Sequence, residues 1–127
     1  MTTSKHPRNL ISAWTVAFGL MTALCFAPRS FAHAIIMEAI PAQNDTITGP
    51  DVFIALKFNS RIDGARSRLT LVLPNKSTRS VILDKQDSPD KLKASATGLA
   101  AGAYVLRWQV LAADGHISRG EIPFNVK

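Results

Sequence analysis

The sequence predicts an all-β protein, a seven-stranded Greek-key β-sandwich, over residues 33–127. Three observations predict it. Apolar side chains recur at every second residue in several short runs, the period of a strand with one face in a core. Turn-forming residues separate those runs at short intervals. After residue 33 no stretch repeats its apolar residues at the 3.6-residue helical period, and about seven short strands in such a length suit two packed sheets.

Taken in order, residues 35–40 form the first expected strand, and residues 41–50, rich in Pro, Asn, Asp, Thr and Gly, read as a loop with turns. Val52, Ile54, Leu56 and Phe58 then alternate with Phe53, Ala55, Lys57 and Asn59, which makes a half-buried strand. Residues 69–73 are a short apolar run ended by Pro74-Asn75-Lys76, with residues 79–83 as its hairpin partner. Residues 91–96 give a weaker strand. Gly98 and Gly102 bracket a turn, and beyond it Tyr104, Leu106, Trp108 and Val110 alternate with Val105, Arg107, Gln109 and Leu111 in the strongest strand of all. Residues 121–126 close the chain with Ile122, Phe124 and Val126 on one face. Trp108 is expected between the sheets, in a core role.

The first 32 residues read differently. Residues 1–9 are polar and carry Lys5 and Arg8; residues 10–26 are apolar; Pro28 breaks the run; and Ser30-Phe31-Ala32 places small residues before a cut. This is the layout of an export signal. The apolar run has 17 residues, at the short limit for crossing a bilayer, so an uncleaved anchor is the competing reading. Ala32-His33-Ala34 offers a second cut, after Ala34, which would discard His33; cleavage after Ala32 is preferred and makes residues 33–127 one mature domain.

Cleavage changes the balance of charge. Lys5, Arg8 and Arg29 leave with the signal and take the net charge from +6 to +3. No basic run with interleaved aromatics remains, so nucleic-acid binding has little support. Cys25, the one cysteine, also leaves, and the mature chain offers neither a disulfide nor a thiolate. A cysteine-free domain suits an oxidising compartment such as a bacterial periplasm. No stable membrane association is expected after cleavage, and a monomer is expected.

Two histidines survive, His33 and His116. As the first mature residue His33 presents an α-amine and an imidazole Nδ1 that close a six-membered chelate ring on one metal. Asp114 and His116 are two apart, and in extended backbone such side chains share a face, with Gly115 between them adding no bulk. By spacing alone, an Asp-Gly turn with an exposed histidine beside it is an equal reading. If these residues do bind a metal, the set of two imidazoles, an amine and a carboxylate favours one Cu(II) per chain. Cu(I) prefers thiolates and thioethers, and the mature chain holds only Met37. Zn(II) would bind the same atoms more weakly.

Residues 33–127 resemble the CopC family of periplasmic copper-binding proteins, of the Cu(II)-only type. The resemblance is carried by His33, by Ala39-Ile40-Pro41-Ala42, by residues 52–58 and by Leu99-Ala100-Ala101-Gly102-Ala103-Tyr104. Its most specific part is Trp108-Gln109-Val110-Leu111-Ala112-Ala113-Asp114-Gly115-His116, continued by Ser118-Arg119-Gly120 and Phe124. The resemblance implies a cupredoxin-like sandwich and a Cu(II) site made of the His33 amine and imidazole, Asp114 and His116. It departs from the family where Phe58-Asn59-Ser60-Arg61 replaces the common Phe-Ser-Glu, and in lacking the methionines of a Cu(I) site. Some members are fused to a membrane domain; none is expected after Lys127 here.

The expected function is therefore to sequester or carry copper in the periplasm, for copper homeostasis or resistance and without catalysis. The resemblance implies an inner-membrane copper transporter as the recipient. The rival classes are an oxidative copper enzyme built on a histidine brace, which needs an open coordination position, and a metal-free structural sandwich module.

Overall fold

The computed structural model describes residues 33–127; the expected export signal, its cut and Cys25 lie outside the described residues. Eight strands run along the chain: β1 (Ile36–Ile40), β2 (Thr46–Ile47), β3 (Val52–Phe58), β4 (Ile62–Val72), β5 (Thr78–Val81), β6 (Lys91–Ala96), β7 (Gly102–Ala112) and β8 (Ile117–Val126). They form a three-stranded sheet, β1-β3-β6, and a five-stranded sheet, β2-β8-β7-β4-β5. The protein is an all-β sandwich, with eight strands where seven were expected. The extra strand, β2, lies inside the segment read as a loop. It is two residues long and pairs in parallel with the end of β8, too short and too distant a pairing for periodicity to register.

Alternation decides the core. Val52, Ile54, Leu56 and Phe58 are buried from β3, and Tyr104, Leu106, Val110, Ile122, Phe124 and Val126 are buried from β7 and β8. Each large side chain removed from water in this way stabilises the fold by about 1.5–3 kcal/mol. Tyr104 stacks on its cross-strand partner Phe124 at 5.6 Å. Its hydroxyl donates to the Ala100 carbonyl at 2.7 Å, the kind of corner bond that immunoglobulin-type sandwiches use.

Two strands are longer than their patterns suggested. β4 begins at Ile62, its early part hidden by a register shift between Asp63 and Arg68 that interrupts the alternation, and β8 begins at Ile117 in a stretch with little apolar signal. The early start of β8 matters most, because it extends the β7–β8 hairpin to the residues singled out for chemistry. Trp108 packs against the core as expected, edge-to-face on Phe58 at 5.5 Å. Its indole lies where a side chain on Gly120, its cross-strand partner, would begin.

Candidate metal centre

The β7–β8 hairpin turns through residues 112–116. The Gly115 amide donates to the Ala112 carbonyl at 2.9 Å, and the Ala112 amide donates to the His116 carbonyl at 2.8 Å. Gly115 has φ +86°, with open space where a Cβ would stand, so conformation and not crowding selects glycine there. This is the three-residue hairpin loop in which a turn is followed by a left-handed residue. Asp114-Gly115-His116 is thus a turn and not extended backbone, and strand periodicity does not bring its two ends together. The Asp114 carboxylate does so. Its Oδ1 accepts the His116 amide at 3.0 Å, and its Oδ2 lies 3.1 Å from His116 Nδ1. Asp114 is held below the ordinary carboxylate range, first by that amide bond; burial opposes it, and the His116 and His33 rings add smaller lowering effects.

The start of the described chain is fastened to this hairpin. Ala34 is buried, and its amide donates to the Ser118 hydroxyl at 3.0 Å. The Ile35 amide donates to Asn59 Oδ1 at 2.8 Å, and the Asn59 amide returns a bond to the Ile35 carbonyl at 3.0 Å. The Arg61 carbonyl accepts the Ala113 amide at 3.0 Å. Residues 59–61 therefore touch both the chain start and the hairpin. The result is that the exposed His33 ring meets the His116 ring edge-on, with centroids 5.9 Å apart. Ser118 and Asn59 were not singled out as structural clamps from the sequence, because nothing in either residue type marks it as one.

The three expected residues thus arrive as two contacts that share His116: a ring pair with His33 and a carboxylate pair with Asp114. Among the described residues no group of three or more His, Cys, Asp or Glu side chains already stands around one point. The donor set nevertheless fits a shared ion. Metal–imidazole bonds of about 2.0–2.1 Å place each ring centroid about 3.2 Å from the ion, so two rings 5.9 Å apart are within reach of one. Direct coordination by Asp114 requires its carboxylate to leave His116 Nδ1. The Ala34 amide is already committed to Ser118, which leaves the His33 imidazole as the donor at the start of the described chain.

A CopC domain model matches residues 36–127. The chain belongs to the CopC family. It is 28% identical over 114 residues to protein YobA of Escherichia coli K12, a match that spans 87% of this chain and 92% of that protein. It is likewise 28% identical over 116 residues to the copper transport protein CutJ of Bacillus subtilis, where the match takes 84% of this chain but 20% of the longer relative. The crystal structure of CopC from Methylosinus trichosporium OB3b superposes with a TM-score of 0.67 at 28% identity, over 75% of this chain and 94% of that one. PcoC, a methionine-rich copper resistance protein from Escherichia coli, shares the fold with a TM-score of 0.61 at 24% identity, over 76% of this chain and 100% of its own.

Proposed function

We propose that this CopC-family protein is exported, cleaved after Ala32, and binds one Cu(II) through the His33 amine and imidazole, Asp114 and His116. The observation that supports the reading is the His33–His116 ring contact, which puts the prospective first residue of a mature chain beside the Asp-Gly-His hairpin. Three nitrogens and a carboxylate oxygen suit the tetragonal preference of Cu(II). The copper-related names of its relatives point the same way. With four donors in place no in-plane position is left for a substrate, so the role is to sequester or carry copper in the periplasm, as a monomer. Handing copper to an inner-membrane transporter follows from the same reading. Reduction to Cu(I), which favours sulfur donors, weakens the grip and offers a route of release.

The test is N-terminal sequencing of the exported protein together with EPR of its copper complex. A chain beginning at His33, one copper per chain and superhyperfine coupling to nitrogen are expected. A chain beginning at Ile35, or a His33 start with no cupric signal, removes the reading.

A further inference from the structure

The outer face of the five-stranded sheet carries a charge pattern that copper binding does not use. Strand register sets it. Arg68 of β4, Gln109 of β7 and Arg119 of β8 stand in one row across three neighbouring strands, and Thr70, Arg107 and Glu121 stand in the next. A strand spacing of about 4.8 Å puts the ends of a row about 10 Å apart. A shallow groove of about 430 Å³ runs over these residues.

Three guanidinium groups meet one carboxylate in this groove. Arg107 donates through Nε to Glu121 Oε1 at 2.7 Å, and Arg119 donates through Nε to Gln109 Oε1 at 2.8 Å. Both bonds orient the guanidinium plane through Nε, and the terminal nitrogens of both groups have no hydrogen bond among the described residues. Arg68 is exposed and has no ion-pair or hydrogen-bond partner among them. Like charges gathered on neighbouring strands weaken a sheet. Arg107 and Arg119 each make one favourable cross-strand contact, but Arg68 makes none and the face keeps an excess of two positive charges, so it offers an anionic ligand three forked donors.

We propose that this face docks an acidic, extended segment of a protein partner. An extended chain repeats its same-side side chains about every 7 Å, so carboxylates at alternate positions span one row of the groove. The Gln109 amide and the Thr70 hydroxyl supply uncharged partners for its backbone. A lone inorganic anion is poorly served, because the arginines are exposed and do not enclose it. A lipid surface is also disfavoured, since Trp108, the one apolar side chain in the groove lining, packs inward on Phe58 and Glu121 would face the anionic headgroups. β7 and β8 run on from this face to the hairpin that bears Asp114 and His116, so a partner docked across the rows sits on the same two strands as the candidate centre. The docking face stands without copper; its use in transfer rests on the reading proposed above.

The test titrates the exported, metal-stripped protein with the peptide Ac-Glu-Thr-Glu-Thr-Glu-NH2 and follows the backbone amide and arginine Nε–H signals by NMR. Saturable shifts at Arg68, Arg107 and Arg119 are expected, fading as ionic strength rises from about 20 to about 300 mM. The Gln-for-Glu version of the peptide should give none. The double substitution Arg68→Ser/Arg119→Ser should weaken binding about tenfold or more while leaving the Cu(II) EPR spectrum unchanged, which separates this proposal from the copper site. Four results overturn it: shifts that persist in the double variant, shifts that map instead to Lys57 and Lys91, a double variant altered only in thermal stability, and arginine-dependent binding to phosphatidylglycerol vesicles with none to the peptide.

Discussion

The Ala34 amide donates to the Ser118 hydroxyl at 3.0 Å, across 84 positions of sequence. It joins the residue after His33 to the second residue after His116, so the two imidazoles are neighbours by backbone attachment. A neutral hydrogen bond of this kind contributes about 1 kcal/mol. Ser118→Ala is expected to let the chain start fray and to lower Cu(II) affinity about fivefold, with a loss of about 4–8 °C in Tm. Competition against a chelator of known strength measures the first, and calorimetry the second. Unchanged affinity would mean that the Asn59 clamp alone holds His33 in place.

His116→Ala removes the residue common to both contacts of the candidate centre. Cu(II) affinity should fall by orders of magnitude, and the fold should persist because the ring is half-exposed at a hairpin end. One extra residue before His33 should do comparable damage, since the amine becomes a peptide nitrogen. Isothermal titration of both variants is the check, and a fully retained affinity in either strikes its donor from the ligand set.

Gly120 gives a test of packing that is independent of metal. A Cβ there would stand 2.5 Å from the Trp108 indole, well inside contact distance. Gly120→Ala must displace that ring and is expected to destabilise the fold by about 1–3 kcal/mol. Trp108 is the only tryptophan in residues 33–127, so its fluorescence reports the displacement directly. An unmoved emission maximum would show that the ring has room to shift unseen.

Most of this architecture was legible in the sequence because alternation was strong where strands were half-buried. Residues 52–58 and 104–110 announced the two inner faces, and β3 and β7 carry them. What stayed hidden has a physical cause in each case. β2 is two residues held by a parallel partner from the far end of the chain, and local pattern cannot show that. The early part of β4 is a bulge, where Asp63 to Ser67 lose the period of two and Ser67 turns its hydroxyl back to the Asp63 carbonyl. The importance of His33, Asp114 and His116 could be suspected from residue type and spacing. The clamps at Ser118 and Asn59 could not, because their partners are backbone amides that any residue owns.

Acid should weaken the metal-free protein in part through particular carboxylates. Asp87 is held low by the Lys93 ammonium, Asp90 by the Ser88 hydroxyl and Asp114 by the His116 amide, each below the ordinary aspartate value of 3.8. A carboxyl whose folded pKa is depressed stabilises the fold above its unfolded pKa, and that contribution is lost as pH falls through the folded one. These three contributions should therefore be complete down to about pH 4 and fade below it. Lys93→Met should reduce the acid-dependent part, because it frees Asp87. Denaturant midpoints between pH 3 and 7 test this, and a Lys93→Met profile parallel to the parent would exclude Asp87 from the effect.

Copper binding should follow a different proton. The α-amine, with an ordinary pKa of about 7.7–8.0, must lose its proton to bind, so affinity should fall about tenfold per pH unit between about pH 7.5 and 6.5, where it is the one ligand still taking up a proton. Asp114, held below 3.8, stays ionised throughout and leaves this slope unchanged. Asp114→Asn then separates two roles for the same carboxylate. As a ligand, its amide oxygen replaces a charged oxygen, and affinity should drop about tenfold with every nitrogen coupling kept in the EPR spectrum. As the group that orients His116 through Nδ1, the new amide would present an N–H to that atom and favour the other ring tautomer. The His116 coupling would then vanish and the loss would approach that of His116→Ala. The milder result is the one expected, with the pH slope preserved. A missing nitrogen coupling would move Asp114 from the metal's first contacts to the support of His116.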